Sequence, residues 1–167
     1  MIQTYHHGRF ELFVAAIVIA IIALAALSRY SLMAEDAKIL RLEIISHQFM
    51  TGASSLRAQF LINNIDDNQR QLQIAGRGLY FSEQGWPVTI TGPVAKNYQP
   101  TDEDCYQLWM MLLQNPAPIS KGRLKKSRRE YQVSAQANNC RYAFVGGSAY
   151  FDYAPLDGRL IFIPAGH

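Results

Sequence analysis

An uninterrupted apolar stretch begins at residue 12 of the chain. The 17 residues from Leu12 to Ser28 carry no charge, no Gly, no Pro and no polar side chain before Ser28. At a rise of about 1.5 Å per residue, a helix of this length covers roughly 25 Å, close to the thickness of a bilayer's hydrocarbon core. A buried helix of a globular protein normally has a polar face, and this segment has none. The pattern therefore predicts a membrane-spanning helix that extends to about Met33.

Two interpretations of this apolar segment are open. Ala23-Leu24-Ala25 offers the small-x-small pattern at which a signal peptide is cleaved. However, acidic Glu11 lies directly before the apolar stretch, where a signal peptide should be positively charged. The residues after 33 also continue a helical pattern. We therefore interpret the segment as a permanent anchor, with a signal peptide as the alternative.

The charges that flank the segment leave its orientation ambiguous. Arg9 lies on the short N-terminal side, whereas Arg29, Lys38 and Arg41 lie on the other. Counted literally, the positive-inside rule places the larger part of the chain in the cytoplasm. Long domains are nevertheless translocated regardless of flanking charge. The two cysteines of the chain favour an oxidising compartment outside the cytoplasm, and we give this argument the greater weight.

The residues that follow the anchor have helical periodicity. Apolar side chains recur at intervals of three or four, with one sideways step near residue 45, as a straight helix with 3.6 residues per turn requires. Gly52 is the only helix breaker, and Asn63-Asn64 begins a turn-forming stretch. The stripe consists of Met33, Ala37, Leu40, Ile44, Ile45, Phe49, Ala53, Leu56 and Phe60. We predict one continuous helix from about Phe10 to about Ile62; a separate domain helix is the alternative.

After residue 70 the pattern changes to short strands. Thr101 is predicted to cap a short helix that stops at Asn115-Pro116, and residues 116–130 are predicted to form a loop. Strands are predicted at 71–75, 78–81, 86–91, 131–134, 141–145, 149–153 and 159–163. The expected fold is α+β, with a long N-terminal helix packed on an antiparallel sheet. Residues 1–33 would form a short cytoplasmic end and the transmembrane helix. Residues 34–167 would form a periplasmic domain with a helix at 34–62 and a sheet at 70–167.

Charge adds one distinctive feature, a basic run at 121–129. The formal net charge is +3, and six of the 16 basic residues lie in this run, so the rest of the chain has a net charge of −3. The six are Lys121, Arg123, Lys125, Lys126, Arg128 and Arg129. Such a run could meet an acidic partner, such as anionic lipid, an acidic protein face or DNA, or it could be a solvated loop. It contains no aromatic residue for base stacking, which argues against nucleic acid.

The chain contains two cysteines, Cys105 and Cys140. Two cysteines beyond a membrane anchor predict one disulfide in an oxidising compartment. By the loop-entropy estimate, such a bridge contributes on the order of 3–4 kcal/mol. The alternative is a pair of buried free thiols in a cytoplasmic domain.

Signatures of catalysis are missing from the sequence. The four histidines, at 6, 7, 47 and 167, have no metal-ligand spacing, and the chain has no C-x-x-C motif. It also lacks the G-x-S-x-G nucleophile motif and the P-loop. We therefore expect a protein that is not an enzyme and that uses no metal and no cofactor.

The chain resembles the type IV pilin-like architecture and, more closely, the MSHA-type pilus biogenesis protein F family of Gram-negative bacteria. The matching features are Gly8-Arg9-Phe10, Gln59-Phe60-Leu61-Ile62, the segment Phe81–Pro87, Cys105 with Trp109, and Cys140-Arg141-Tyr142. This resemblance implies an accessory or minor subunit, not an enzyme, that helps assemble a surface pilus from the inner membrane. Its implied partners are the inner membrane and other pilus assembly proteins or pilins, contacted through the N-terminal helix.

The chain departs from the pattern of processed pilins at its N-terminus. In pilins that are processed by prepilin peptidase, Gly is followed by Phe, and Glu is the fifth residue of the mature chain. Here Gly8 is followed by Arg9, and Glu11 would be only the third residue, which puts leader cleavage after Gly8 in doubt. We expect Arg9, Phe10 and Glu11 to form the assembly contact, although Glu11 could instead lie among lipid headgroups. The alternative function is a signal-anchored periplasmic binding module that uses the basic run for an acidic glycan or DNA.

Overall fold

The computed structural model describes residues 4–63, 70–74, 76–122 and 129–164, without the side chains of 4–10, 31, 32, 34 and 35. It divides into two compact units, Met1–Lys38 and Ile39–His167.

The first helix, α1, spans Thr4–Ile62. The predicted helix from Phe10 to Ile62 is therefore confirmed, and no loop interrupts residues 28–40. In the first unit, every residue from Glu11 to Tyr30 is exposed. This stretch is the one helical segment among the described residues that is long and apolar enough to cross a membrane.

In the second unit, α1 presents one face to the core. Leu42, Phe49 and Ala53 are fully buried, and Ser46 and Phe60 are nearly so. The intervals of four, three, four and seven residues match a helical face. The predicted stripe is confirmed from Ile45 onward, since Ile45 packs against the core. Its part before Ile45 is wrong, because Leu40 and Ile44 are about half exposed. The face that reaches the core there passes through Leu42 and Ser46 instead.

Two sheets follow α1 among the described residues. The first is antiparallel and has the order β1-β2-β3, formed by Gln71–Ile74, Arg77–Phe81 and Pro87–Thr89. The second has the order β4-β5-β6-β7-β8, formed by Ile119–Lys121, Tyr131–Gln136, Asn139–Phe144, Tyr150–Ala154 and Arg159–Ile163. The α+β class is thus confirmed. The prediction of a single sheet is wrong, because the described strands form two sheets.

Strand β4 lies in the segment that the sequence predicts to be a loop. It pairs in parallel with β5, with Ile119 opposite Tyr131, whereas the other neighbours in this sheet are antiparallel. A strand of three residues is too short to show alternation, and the prolines before it and the basic run after it are typical of loops. The prediction of a loop over 116–130 is therefore wrong at Ile119–Lys121.

The second helix, α2, spans Asp102–Leu112 between the two sheets in sequence. Thr101 caps it as predicted, because its hydroxyl accepts a hydrogen bond from the Asp104 backbone N–H and the Asp104 carboxylate accepts from the Thr101 N–H. This reciprocal pair is a capping box. Trp109 is buried, and its indole N–H donates to the Ala117 carbonyl at 2.9 Å.

An aromatic cluster joins α1 to the second sheet. The Phe49 ring lies 5.1 Å from Tyr142, 5.6 Å from Phe151 and 5.2 Å from Tyr153, measured between centroids. Trp109 of α2 stacks on Tyr142 at 5.4 Å. Aromatic pairs at these separations stabilise a core beyond the apolar area that they bury.

Candidate functional site

The two cysteines form a disulfide within the core of the second unit. Cys105 lies in the first turn of α2 and Cys140 in β6, their Cα atoms are 5.3 Å apart, and both are fully buried. The predicted pairing is confirmed. The Tyr142 hydroxyl donates to the Cys105 carbonyl at 2.8 Å, which ties the same helix turn to the same strand a second time.

Each of the three acidic side chains in the first turn of α2 has partners. The Ala135 N–H donates to an Asp102 oxygen at 2.6 Å. Glu103 accepts hydrogen bonds from Lys121 and, at 2.6 Å, from the Gln107 amide, and the bond from Lys121 is the main reason that the pKa of Glu103 is lowered. These carboxylates join α2 to its neighbouring strands and leave no free pair for acid–base chemistry in this turn.

The most enclosed of the three is Asp104, which is 2% exposed. One oxygen accepts from the hydroxyls of Thr89 and Thr91, and the other from the hydroxyl and N–H of Thr101. Burial alone would raise the pKa of Asp104, but the hydrogen bonds from Thr101 and Thr89 outweigh it and lower the pKa. Burial, followed by the charge of Asp104, raises the pKa of Tyr98. The ionised Asp104 side chain therefore joins α2 to β3.

The structure describes two of the six cations in the basic run. Lys121 pairs with Glu103 and lies 4.5 Å from the centre of the Tyr106 ring. The Arg129 guanidinium donates to the Ile119 carbonyl. Arg123, Lys125, Lys126 and Arg128 lie outside the described residues. The two described cations thus contact the protein's own surface, and no described geometry favours an acidic partner for the run.

The predicted assembly contact at the N-terminus is described only in part. Glu11 is exposed on α1 at the start of the apolar segment. The side chains of Arg9 and Phe10 lie outside the described part of the chain. An N-terminal apolar helix of this kind could be a membrane anchor or a signal sequence.

A surface depression of about 360 Å³ lies where four chain segments of the second unit meet. They are the residue before β1, the β2–β3 turn, the segment between β3 and α2, and the β7–β8 turn. The residues of interest in its lining are Arg70, Ser82, Glu83, Gln84, Lys96 and Leu156. Sequence reasoning missed this site, because its residues are far apart in the chain and belong to no common motif.

Well-defined turns hold the walls of this depression. In the β2–β3 turn, the Gly85 N–H donates to the Ser82 carbonyl at 3.0 Å, and the Trp86 N–H donates to the Ser82 hydroxyl at 3.1 Å. A Cβ at Gly158 would lie 2.0 Å from the Trp86 indole, so the β7–β8 turn rests directly on this ring. Gly158 has φ +71, which Gly adopts at little cost. These contacts bring Leu156 beside the β2–β3 turn.

No cluster of three His, Cys, Asp or Glu side chains with metal-binding geometry occurs among the described residues. Comparison of the chain with protein-family models, with curated proteins and with solved structures gives no match.

Proposed function

We propose that this protein is a membrane-anchored, non-enzymatic subunit that helps to assemble a type IV pilus of the MSHA kind, or a related pseudopilus, at the inner membrane. Residues 34–167 would form its pilin-like periplasmic domain. The observation that carries the proposal is that α1 contains both an exposed apolar segment and, from Leu42 onward, the face that builds the core of a sheet domain.

The exposed segment requires an apolar environment. Leu12 is 72% exposed and Leu24 is 68% exposed, and the residues between them include exposed Ile and Val side chains. Apolar area in water costs roughly 25 cal/mol per Å². Lipid can cover this surface, and so can neighbouring helices of the same kind. A subunit that moves from a bilayer into a helical assembly therefore needs only apolar side chains in this segment.

Two features of the second unit support a non-enzymatic role outside the cytoplasm. Its core contains a disulfide, which persists in oxidising compartments such as the periplasm. The three carboxylates in the first turn of α2 are used in capping and strand contacts. This domain is therefore suited to holding a shape that partners recognise.

The proposal is tested by recovering the tagged full chain from detergent-solubilised membranes of the bacterium that encodes it. We expect pilus assembly proteins or pilins to be recovered with it, and we expect deletion of its gene to reduce surface filaments. Glu11→Gln should lower the recovery of these partners several-fold. Asp36→Asn, which removes a carboxylate from the same helix beyond the apolar segment, should not. Recovery of nucleic acid or polysaccharide alone, with normal filaments in the deletion strain, would contradict the proposal.

The orientation of the chain in the membrane and the cleavage of its N-terminal segment can be tested separately. An alkaline phosphatase fused after residue 167 should be active, because the enzyme requires an oxidising compartment to form its own disulfides. N-terminal sequencing of the membrane-bound protein should find the apolar segment retained. A mature chain that begins after Ala25 would show that the segment is a signal peptide.

A further inference from the structure

The depression lined by Arg70 and Lys96 has no part in the proposed assembly role. It lies in the second unit, and residues from four separate segments form it. Its volume of about 360 Å³ is near the lower end of the range for small-molecule sites. A ligand of the size of one sugar residue would therefore match it better than a folded partner.

The backbone at Arg70 is unusual. Its φ of +37° is positive, which is uncommon for any residue other than Gly. The Phe81 N–H donates to the Arg70 carbonyl at 2.8 Å and helps to hold this conformation. Strained residues of this kind cluster at binding sites, where the surrounding structure maintains them. Here Arg70, whose side chain is only 25% exposed, lies in the wall of the depression.

The charges of the wall favour a single negative charge on the ligand. Arg70 and Lys96 are both cationic, and the ion pair of Arg70 among the described residues is a long contact of 3.8 Å with the exposed Glu83. Lys96 has no ion pair or hydrogen bond to another described residue. A guanidinium binds a carboxylate through two parallel hydrogen bonds. The single negative charge of a carboxylate equals in magnitude the net charge of Arg70, Lys96 and Glu83 together.

The other side chains that line the depression suit a ligand with a ring that carries hydroxyl groups. Glu83 can accept hydrogen bonds from hydroxyls, and the Gln84 amide can donate or accept them. The Ser82 hydroxyl already accepts from the Trp86 N–H and keeps its own proton to donate. Val94 and Leu156 supply apolar surface for the face of a ring.

We infer that this depression binds an acidic sugar of the hexuronate class. Arg70 and Lys96 hold the sugar's carboxylate, and Glu83 and Gln84 bind its hydroxyls. This site is separate from the basic run at 121–129 and does not depend on the role of α1 in assembly.

The test is calorimetric titration of the full chain in phosphatidylcholine nanodiscs, which avoids detergents that contain sugar. The probes are galacturonate, galactose as its neutral counterpart, and inorganic phosphate. We expect saturable binding of galacturonate and at least tenfold weaker binding of the other two. Arg70→Gln and Lys96→Gln should each weaken galacturonate binding tenfold or more. The matched control, Arg77→Gln, removes an exposed cation on β2 that does not line the depression and should bind as the parent does.

Three outcomes would overturn the inference. The first is no saturable binding of galacturonate at millimolar concentration. The second is equally tight binding of galactose or phosphate, which would exclude a site selective for hexuronates. The third is an equal loss in Arg77→Gln, which would show that the chain's overall charge is responsible. Near-ultraviolet circular dichroism checks folding; if Arg70→Gln unfolds, exposed Lys96→Gln decides the outcome.

Discussion

A β-carbon placed on Gly52 would lie 2.2 Å from the carbonyl oxygen of Leu112, the last residue of α2. The sequence marks Gly52 as the only helix breaker in its part of the chain, yet α1 continues through it without interruption. The glycine is needed for a different reason. It allows the C-terminal end of α2 to approach the α1 backbone more closely than any side chain would permit.

Gly52→Ala should therefore destabilise the fold. In an unobstructed helix, replacing Gly with Ala adds up to about 1 kcal/mol of stability. Here the added methyl overlaps a backbone carbonyl, and such overpacking typically costs about 1–3 kcal/mol. We expect a lower thermal unfolding midpoint for the full chain in a mild detergent. Gly92→Ala is the control, because a Cβ there meets nothing within 4 Å. A Gly52→Ala variant as stable as the parent would contradict this packing.

The disulfide should make a large contribution to stability. Replacing both Cys105 and Cys140 with Ala should lower the free energy of unfolding by about 3–4 kcal/mol, because the bridge closes a loop of 35 residues. Both residues are fully buried, so the native bridge should resist mild reductants. Peptide mapping without reductant should recover the two cysteines as a linked pair. Free thiols at both positions in protein taken from cells would contradict both the bridge and the periplasmic location.

The sequence predicts the local elements well. Helix α1 follows from an apolar stretch and a 3.6-residue repeat, and the Thr101 cap follows from a polar residue before an acidic turn. The β7–β8 hairpin is evident from Pro155 and Asp157-Gly158 between two apolar strands. Each of these signals lies within a few residues, so one window of the chain contains it.

Contacts between distant residues are what the sequence does not reveal. Nothing near Ile119 indicates that it pairs with Tyr131 in parallel, since that pairing depends on how the chain folds back. Arg70 and Leu156 meet at one depression although 86 positions separate them in the chain. The disulfide was predictable for another reason, because two cysteines allow only one intramolecular pairing.

Acid should weaken the attachment of α2 to β3 through Asp104. Its pKa is lower in the folded protein, so its stabilising effect is present above the unfolded pKa and is lost as the pH falls through the folded value. We therefore expect unfolding curves to shift below about pH 4. Asp104→Asn should remove this part of the pH dependence. It should also cost about 1–3 kcal/mol at pH 7, because an amide nitrogen cannot accept from the threonine groups.

The exposed Asp36 provides the matched control for Asp104. Asp36→Asn removes a carboxylate from the surface of α1 and should leave the unfolding curve almost unchanged at pH 7. Equal behaviour of the two variants at pH 7 and in acid would show that the network around Asp104 does not stabilise the fold.

Assembly could depend on the basic run or on α1, and two variants distinguish these surfaces. One variant changes Lys125, Lys126 and Arg128 to Ser and keeps Arg129, because the Arg129 guanidinium donates to the Ile119 carbonyl. If these residues form a solvated loop and contact no partner, stability should change by less than about 0.5 kcal/mol. Pilus assembly should then be close to normal.

The contrasting variant changes Leu56 and Phe60 of α1 to Asp. Phe60 is 8% exposed and stacks on Phe81 at 4.6 Å, and Leu56 packs against the core. Each change removes about 1.5–3 kcal/mol of apolar burial before any penalty for a buried charge, so the protein should not accumulate. Filaments should be counted at matched protein levels for the parent and the basic-run variant. If the basic-run variant accumulates normally yet assembles no filaments, the run is a partner site, and α1 is not sufficient for assembly.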